Sequence, residues 1–235
     1  MTFESAVITG AGGGIGRALA VHLAGTGCRV VVADVDAAAA DHAARDVGGM
    51  SVPTDVADPD AMLALADAAG IVDLVCLNAG IVGPLGAPWD TDASGWDRVF
   101  AVNTGGVLNG LRAFVPRLLA AGAPAAVLIT ASLAGLLSFP GNGAYGPSKR
   151  AVIAIAEQAA LALTGTPVTV TVLCPALVRT GMSEIGEEPA DVAVAAVSAA
   201  EAGRFAVVPP EWQTAVIKGA QHLVTGSPPA LPNPE

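Results

Sequence analysis

Short apolar runs alternate with longer alanine-rich segments along most of the chain. Runs rich in Val, Ile and Leu predict strands, and most are apolar at nearly every position, as in strands covered on both faces. These strands are predicted at Ala6–Thr9, Val30–Ala33, Met50–Val52, Leu74–Leu77, Ala126–Thr130, Val168–Leu173 and Phe205–Val208. The segments between them predict helices at Ile15–Ala24, Ala37–Asp46, Pro59–Ala69, Trp96–Leu119, Ala144–Leu163, Pro189–Ala202 and Glu211–Ala220.

Regular alternation of strands and helices favours one architecture. It predicts a doubly wound α/β fold, with a parallel sheet of about seven strands and helices on both faces. The chain has 235 residues and shows neither an internal repeat nor a linker, so one domain is expected over residues 1–226. Residues 227–235 form a proline-rich tail, SPPALPNPE, which is expected to be extended and poorly ordered.

Composition and charge exclude several classes of protein. Hydrophobic residues make up 53% of the chain and charged residues 14%, which excludes intrinsic disorder over most of its length. A net charge of −10 disfavours nucleic acid and anionic lipid as partners, because both carry phosphate. The cysteines and histidines lack the spacing of metal ligands, so we expect no metal site, and buried thiols in a reducing, cytoplasmic compartment. These residues are Cys28, Cys76, Cys174, His22, His42 and His222.

Two segments bear on membrane insertion. Leu118–Phe139 carries no charge and is long enough to span a bilayer. Gly122, Pro124 and several hydroxyl residues interrupt it, so we interpret it as a helix end, a turn, a buried strand and a loop. The opening sequence MTFESAVITG has no basic stretch followed by an apolar one, so it does not predict a signal peptide. No membrane partner is expected.

A glycine-rich loop, TGAGGGIG, directly follows the first predicted strand. Gly10, Gly14 and Gly16 give the spacing G-x-x-x-G-x-G in front of a helix. Glycine lets the backbone turn sharply, and it lets a diphosphate approach the amide N–H groups at the helix start, where the helix dipole favours negative charge. The spacing departs from the G-x-G-x-x-G fingerprint because residue 15 is Ile. Its place in an alternating chain nevertheless predicts dinucleotide binding.

Asp34 ends the second predicted strand, where an acidic side chain can accept hydrogen bonds from both hydroxyls of the adenosine ribose. A carboxylate there would repel a 2′-phosphate, and neither Gly13 nor Val35 supplies a neutralising cation, so NAD is expected over NADP. The alternative is a helix N-cap, for which Asp36 is the better candidate.

The single tyrosine of the chain, Tyr145, lies four residues before Lys149 in the sequence YGPSK. At that spacing both side chains share one helical face. An ammonium group nearby, or a positively charged nicotinamide ring, would stabilise the phenolate and lower the pKa of Tyr145. The pair therefore predicts a general acid and base that works near neutral pH. The alternative is a buried tyrosine ring beside a solvated lysine.

A hydroxyl group follows the fifth predicted strand, at Ser132. Ligands of open α/β sheets bind at the carboxyl ends of the strands, so Ser132 is placed to hydrogen-bond a substrate carbonyl while Tyr145 delivers the proton. Alone, Ser132 fits a turn equally well.

In this order and at these spacings, the motifs resemble the short-chain dehydrogenase/reductase family over about Ala6 to Val208. The family's Rossmann-type fold agrees with the predicted architecture. The resemblance adds an adenine-contacting pair after the third strand, an Asn-Ala-Gly segment after the fourth and a nicotinamide-holding segment after the sixth. It implies that the cofactor-binding residues are Gly10, Gly13, Gly14, Ile15, Gly16, Asp34, Val35, Asp55, Val56, Asn78, Ala79, Gly80, Tyr145, Lys149, Pro175, Val178 and Thr180.

The resemblance also implies a catalytic tetrad of Asn103, Ser132, Tyr145 and Lys149. Tyr145 would transfer the proton, while Lys149 would lower its pKa and hold the nicotinamide ribose. Ser132 would orient the substrate oxygen, and Asn103 would anchor a water that links Lys149 to solvent. Hydride would pass directly between the substrate carbon and the nicotinamide, without a metal.

The sequence departs from the family pattern at three places. Leu77 replaces a common Asn, and Ala176 replaces a common Gly, so the backbone at residue 176 must accept a Cβ. The chain also lacks the family's final strand and its Asp-Gly-Gly ending, which pack one interface in many family tetramers. A homodimer is therefore expected before a homotetramer. Helix Ala144–Leu163 is apolar over most of its circumference, which reflects either a second subunit against it or its alanine-rich composition.

Residues 181–188, GMSEIGEE, fall where the family has its substrate lid. Gly181 and Gly186 suit movement, and Met182 and Ile185 offer apolar contact. The acidic residues Glu184, Glu187 and Glu188 either disfavour an anionic substrate or are solvated charges near the next helix. Further apolar walls are expected from Leu133, Leu136, Leu137, Phe139 and Ile81–Trp89. We therefore expect a neutral, largely apolar secondary alcohol or ketone as the substrate.

The sequence offers three alternatives to an NAD-dependent alcohol dehydrogenase. An NADP-preferring carbonyl reductase would need Asp34 to turn away from the ribose. A non-catalytic dinucleotide sensor would have lost the tetrad, which this chain keeps. A sugar-nucleotide epimerase or dehydratase would need a larger C-terminal substrate domain than this chain has.

Overall fold

Parallel strands form a single sheet in the computed structural model, which describes residues 1–233. The seven strands are β1 (Ser5–Thr9), β2 (Arg29–Asp34), β3 (Met50–Pro53), β4 (Leu74–Leu77), β5 (Ala125–Thr130), β6 (Val168–Leu173) and β7 (Ala206–Val207). Their order is β3-β2-β1-β4-β5-β6-β7, which confirms the predicted doubly wound fold. The strand order reverses between β1 and β4, and ligands of such sheets bind outside the carboxyl ends of the strands at this point.

Helices cover both faces of the sheet. They are α1 (Gly14–Gly25), α2 (Ala37–Val47), α3 (Pro59–Ala69), α4 (Ala93–Phe100), α5 (Gly106–Ala121), α6 (Leu133–Leu136), α7 (Tyr145–Ala162), α8 (Pro189–Glu201), α9 (Gln213–Gly219) and α10 (Gln221–Thr225). A π-turn, Ala101–Gly105, joins α4 to α5, and a short 3-10 helix, Pro210–Trp212, precedes α9. Aspartates begin several helices: the Asp36 carboxylate accepts from the backbone N–H of Ala38 at 2.9 Å.

Each face of the sheet carries its own apolar cluster. On one face, Phe114 and Leu65 pack with residues of α3, α5 and α7. On the other, Leu19 and Val197 pack with residues of α1, α2 and α8. Every residue of β5 is buried, which explains why the strands read as continuous apolar runs rather than alternating ones. Burial of one such side chain stabilises the fold by about 1.5–3 kcal/mol.

The predicted helix Trp96–Leu119 is wrong in its continuity. The chain forms α4 from Ala93, turns through the π-turn and continues as α5 to Ala121. The helix starts earlier than predicted because the Asp92 carboxylate accepts from the backbone N–H of Gly95 at 3.2 Å. The π-turn adds a residue to the helical repeat, and it contains Asn103.

The C-terminal region also differs from its prediction. The single helix expected over Glu211–Ala220 is a 3-10 turn followed by α9, and α10 comes after it. Ala215 of α9 packs against Leu133 and Leu137 in a third, small apolar cluster. Residues 227–233 contain neither helix nor strand, and the last two residues of the predicted tail lie outside the described part of the chain.

The uncharged segment predicted to stay out of a membrane is divided between the end of α5, β5 and α6. Within residues 1–233, no helix combines the length and the apolar character that crossing a bilayer requires.

Candidate active site

The glycine-rich loop passes between the ends of β1 and β4 with almost no spare room. Gly10 has a φ of +65°, and a Cβ there would lie 2.8 Å from the Cα of Ala79. A Cβ on Gly16 would lie 2.1 Å from the carbonyl oxygen of Gly10, so only glycine lets α1 pack onto the loop. At Gly13, by contrast, a Cβ would meet nothing within 4 Å. The loop is therefore closed towards the sheet and open where its amide groups could receive a diphosphate.

Two predicted residues lie beside this loop. Ile15 is half-buried and packs against the cluster under α1. Thr180, far along the chain, reaches the loop from the other side, since a Cβ on Gly14 would lie 3.1 Å from its Cγ2. The segment after β6 thus meets the start of α1.

Asp34 is held in place by two backbone N–H groups at the end of β2. Its Oδ2 accepts from Gly12 at 2.9 Å and its Oδ1 accepts from Asp36 at 3.1 Å. The N-cap of α2 is Asp36, so the capping alternative for Asp34 is wrong. Val35 beside it is 72% exposed. A fixed, half-buried carboxylate next to the glycine loop is what recognition of ribose hydroxyls needs.

The pair after β3 is divided between surface and core. Asp55 is exposed, and its carboxylate accepts from the N–H of Ala57 at 2.9 Å. Val56 is buried, and its carbonyl accepts from the side-chain amide of Asn109 at 3.0 Å. Gly106 lets α5 approach it, because a Cβ there would lie 2.7 Å from Val56 Cγ2.

Asn78 ties together the carboxyl ends of three strands. Its Nδ2 donates to the carbonyl oxygens of Thr9 at 3.1 Å and Gly10 at 3.3 Å, and its Oδ1 accepts from the Thr130 hydroxyl at 3.0 Å. The Thr9 hydroxyl in turn accepts from the backbone N–H groups of Asn78 at 2.9 Å and Ala79 at 3.2 Å. With these bonds made, the Asn78 side chain holds the sheet edge, and both of its amide hydrogens are engaged.

Asn103 lies on the π-turn and is fully buried. Its Oδ1 accepts from the backbone N–H of Ile81 at 2.8 Å, and its Nδ2 donates to the carbonyl of Ile81 at 2.9 Å and to the hydroxyl of Ser148 at 3.0 Å. These bonds use both amide hydrogens. The predicted anchoring of a water by Asn103 therefore cannot come from its Nδ2.

Ser132, Tyr145 and Lys149 come together at the carboxyl end of β5. Ser132 caps α6, where its hydroxyl accepts from the N–H of Ala134 at 3.1 Å, and it lies near enough to the Tyr145 phenol to counter part of the rise in that group's pKa. Lys149 is 3% exposed, and its Nζ donates to the carbonyl of Thr130 at 2.9 Å. The Lys149 Nζ lies 5.8 Å from the centroid of the Tyr145 ring. The reading of Lys149 as a solvated lysine is wrong.

Burial dominates the electrostatics of this cluster. It raises the pKa of Tyr145, and the nearby Ser132 hydroxyl only partly offsets that rise. The predicted lowering of the Tyr145 pKa is therefore wrong for the protein by itself, because removing the phenolate from water outweighs its stabilisation. Burial likewise lowers the pKa of Lys149 to about 8, and the nearby Cys174 thiol opposes this effect. Burial also raises the pKa of Cys174 to about 12.

The segment after β6 packs tightly against the cluster. The carbonyl of Pro175 accepts from the N–H of Leu133 at 2.9 Å, which joins this segment to the start of α6. Val178 is buried. Glycine is the only residue type with positive φ among residues 1–233, so Ala176 accommodates its Cβ without backbone strain.

Comparison with known proteins gives the same answer as the geometry. A family model described as short chain dehydrogenase matches residues 4–190. The chain belongs to the short-chain dehydrogenase/reductase family. 1-Deoxy-11-beta-hydroxypentalenate dehydrogenase from Streptomyces exfoliatus is 43% identical over 189 residues, which cover 76% of this chain and 69% of that protein. Cyclohexanol dehydrogenase from an Acinetobacter species is 33% identical over 192 residues, or 78% of this chain and 76% of that protein.

The three-dimensional comparison extends over nearly the whole molecule. A short-chain dehydrogenase/reductase from Burkholderia phymatum, crystallised in complex with NAD, is 33% identical to this chain. It superposes with a TM-score of 0.92 and covers 99% of this chain and 98% of its own. The similarity to that structure therefore extends over the C-terminal region of this short-chain dehydrogenase/reductase, where its sequence departs from the expected ending.

The segment expected to form the substrate lid in this family member is tied to the preceding residues by backbone hydrogen bonds. The N–H of Arg179 donates to the carbonyl of Glu187, and the N–H of Glu187 donates to that of Leu177, both at 2.9 Å. Gly186 has a φ of +120°, and a Cβ there would lie 2.0 Å from Leu177 O. Close packing therefore requires glycine at residue 186, whereas Gly181 has open space around it.

The lid's acidic residues do different things. Glu188 forms an ion pair with Arg179. Burial and the charges of Glu211 and Asp191 raise the pKa of Glu187, which places these carboxylates near one another. Apart from the Glu188 pair, the lid is therefore bordered by negative charge.

The predicted apolar walls are partly wrong. Leu133 and Leu137 are buried against Ala215, so the C-terminal helix covers them. Phe139 is half-buried and lies edge-to-face with Trp212, with ring centroids 5.9 Å apart. The side chains that stay exposed are Leu85, Trp89, Met182 and Ile185.

Four residues that position the site were not predicted from the sequence. Thr9 and Thr130 bond Asn78, Gly12 holds Asp34, and Ser148 holds Asn103. The two threonines could have been identified from the sequence, because each is a polar residue at the carboxyl end of a buried apolar strand. Ser148 lies between the two most distinctive residues of the YGPSK motif, and only the fold shows what it contacts.

None of the residues from 1 to 233 form a His, Cys, Asp and Glu grouping suited to a metal ion, and the three cysteines are buried and free.

Proposed function

We propose that this chain is an NAD-preferring oxidoreductase that interconverts neutral, largely apolar secondary alcohols and ketones. The observation that carries the proposal is the buried cluster of Ser132, Tyr145 and Lys149 beside a glycine loop that is open to a diphosphate. Family membership supports the coarser statement, an oxidoreductase acting on hydroxyl or keto groups. The tetrad and the choice of cofactor are our proposals.

Tyr145 is the proposed proton donor and acceptor. Burial raises its pKa, so its hydroxyl keeps the proton at neutral pH and can give it to a carbonyl oxygen during reduction. Ser132 lies near the phenol and can orient the substrate oxygen towards it. In the oxidative direction the phenolate must form, and the neighbouring Lys149 ammonium supports its negative charge.

When bound, the nicotinamide ring supplies the hydride donor or acceptor. The loop around Gly10 and Gly13 would receive the diphosphate, and Lys149 the nicotinamide ribose. Asp34 would accept the adenosine ribose hydroxyls. The segment from Val178 to Thr180 would hold the carboxamide, and Asp55 and Val56 would flank the adenine.

The preference for NAD rests on Asp34. Its carboxylate is fixed by two backbone N–H groups and cannot turn away without breaking both bonds. A 2′-phosphate at the same place would meet that negative charge.

Three observations support a neutral, apolar substrate. The residues that stay exposed around the expected entrance are large and hydrophobic, Leu85 and Ile185 among them. The lid is bordered by the carboxylates near Glu187, which disfavour anions. By its name, one relative acts on cyclohexanol, a neutral cyclic alcohol, whereas the hydroxypentalenate in another relative's name is a carboxylate.

We further propose a homo-oligomer, a homodimer before a homotetramer, in a reducing cytoplasmic setting. The outward face of α7 is lined by small residues and by Leu161, which is 71% exposed, although Glu157 and Gln158 interrupt it. Three free, buried thiols fit a reducing compartment.

The test is turnover of a panel of secondary alcohols and ketones with NAD(H) and with NADP(H), measured by nicotinamide absorbance. Tyr145→Phe should abolish turnover, by about a thousandfold or more, because it removes the only proton-transfer group. NADH binding, followed by fluorescence, should change less than about twofold in the same variant. Substantial turnover by Tyr145→Phe would contradict the proposal.

A further inference from the structure

Ser148 is a fully buried residue one position before Lys149 that the proposed chemistry does not use. Its hydroxyl donates to the backbone carbonyl of Tyr145 at 2.7 Å and accepts from Asn103 Nδ2 at 3.0 Å. Its own carbonyl accepts from the Thr104 hydroxyl at 3.3 Å. Ser148 is therefore the residue through which the first turn of α7 is joined to the π-turn.

The join reaches the reacting groups on both sides. Asn103 is held between Ser148 and both backbone groups of Ile81. Gly80, the residue before Ile81, lies close to both Lys149 and Asn103. A Cβ on Gly80 would be 3.1 Å from Lys149 Nζ and 3.2 Å from Asn103 Oδ1. Because Ser148 bonds both Asn103 and the Tyr145 carbonyl, a shift of Ser148 would move the first turn of α7, which carries Tyr145 and Lys149.

We propose that Ser148 is a positioning residue that keeps Tyr145 and Lys149 in register with the π-turn. The inference rests on the proposed function, since it assigns Ser148 a part in the same reaction. Without its hydroxyl, a buried N–H of Asn103 loses its acceptor, and the Asn103 amide must rotate to find another. That rotation releases Ile81, and the loss of the bond from the Ser148 hydroxyl to the Tyr145 carbonyl loosens the first turn of α7, which displaces the Tyr145 phenol.

The test is Ser148→Ala, assayed with the substrate found in the panel. We expect kcat to fall about tenfold or more, as for other small misplacements of reacting groups, with the KM for NAD within about twofold of the wild type. The oxidative pH–kcat profile should move to higher pH, because a displaced Tyr145 phenolate is stabilised less by Ser132 and Lys149. A double-mutant cycle with Asn103→Ala should be less than additive, because both variants break the same bond.

The matched control is Thr171→Val. It removes another fully buried hydroxyl, which donates to the carbonyl of Arg204 at 2.7 Å on β6, away from the cluster. Thr171→Val should lower the melting temperature to an extent comparable with Ser148→Ala, but it should leave the pH–kcat profile unchanged. Should Ser148→Ala fail to fold, Thr104→Val breaks the second bond of the join, and a smaller shift in the same direction is expected.

The two proposals fail differently. Turnover that survives Tyr145→Phe overturns the proposed function itself. If Tyr145→Phe is inactive but Ser148→Ala, or Thr104→Val in its place, keeps the wild-type kcat and pH profile, the positioning role of Ser148 is wrong. If Ser148→Ala lowers kcat only as much as Thr171→Val does and leaves the pH profile unchanged, the positioning role is also wrong.

Discussion

Individual polar residues at the sheet edge have two different roles: some fix the strand ends, and others keep a charged group available to a ligand. Thr9, Asn78 and Thr130 spend their hydrogen bonds on each other and on the backbone, so they fix the positions of strand ends. Asp34 and Lys149 are also held, but by bonds that leave part of each charged group available to a ligand. The distinction decides which substitutions should affect stability and which should affect ligand choice.

Replacing Asp34 by Ala should reduce the preference for NAD over NADP by about tenfold or more, because the variant loses both the ribose acceptor and the charge that repels a 2′-phosphate. The measurement is the ratio of kcat/KM for the two cofactors. Asp36→Ala is the matched control, since it removes a helix cap worth about 1 kcal/mol and should leave the ratio unchanged. An unaltered ratio in Asp34→Ala would refute the cofactor argument, and a wild type that already prefers NADPH would favour the carbonyl reductase.

Whole elements of the site depend on close backbone packing. The lid between β6 and α8 is held by hydrogen bonds between Leu177, Arg179 and Glu187. Its apolar residues Met182 and Ile185 stay exposed while its backbone is held by these bonds. Its two glycines differ: a Cβ on Gly186 would clash with the backbone of Leu177, whereas a Cβ on Gly181 would meet nothing within 4 Å.

Gly186→Ala should therefore raise the KM for the alcohol several-fold and lower the stability by about 1–3 kcal/mol, because a Cβ would lie 2.0 Å from Leu177 O at a φ of +120°. Gly181→Ala should be close to wild type in both respects. Steady-state kinetics and thermal melts check this pair. Equal effects at the two positions would mean that the lid does not depend on this contact.

At the scale of the whole molecule, the site carries a cost in stability. Burial lowers the pKa of Lys149 to about 8, so charging this side chain opposes folding at neutral pH. Between pH 8 and 10.5, the ordinary pKa of a lysine, the unfolded chain binds more protons at Lys149 than the folded one. The contribution of Lys149 to stability therefore rises with pH across that range.

Lys149→Met tests this cost. Below about pH 8 the variant should be the more stable protein, and between pH 8 and 10.5 the wild type should gain up to about 3 kcal/mol relative to it. Other titrating groups are common to both proteins, so their effects largely cancel in the difference. Urea unfolding at several pH values measures it. If the difference in free energy of unfolding between the two proteins did not change with pH, the charge on Lys149 would not destabilise the fold. Turnover should be lost in the variant in either case.

The sequence by itself determined the architecture. Continuous apolar runs such as β5 occur only where both faces of a strand are covered, and their alternation with helices leaves few alternatives to a parallel sheet. The sequence alone also shows the glycine loop, Asp34 and the spacing of Tyr145 and Lys149, because each depends on residue type and local spacing.

Only the tertiary structure decided the rest. The break of the predicted helix at the π-turn, the burial of Leu133 under α9 and the Ser148–Asn103 bond all join residues far apart in the chain. The direction of the Tyr145 pKa also came from the fold. Spacing shows that a lysine is near, but the desolvation that outweighs it depends on everything packed around the phenol. Local pattern thus determines elements and motifs, whereas burial and long-range contacts determine how their chemistry is tuned.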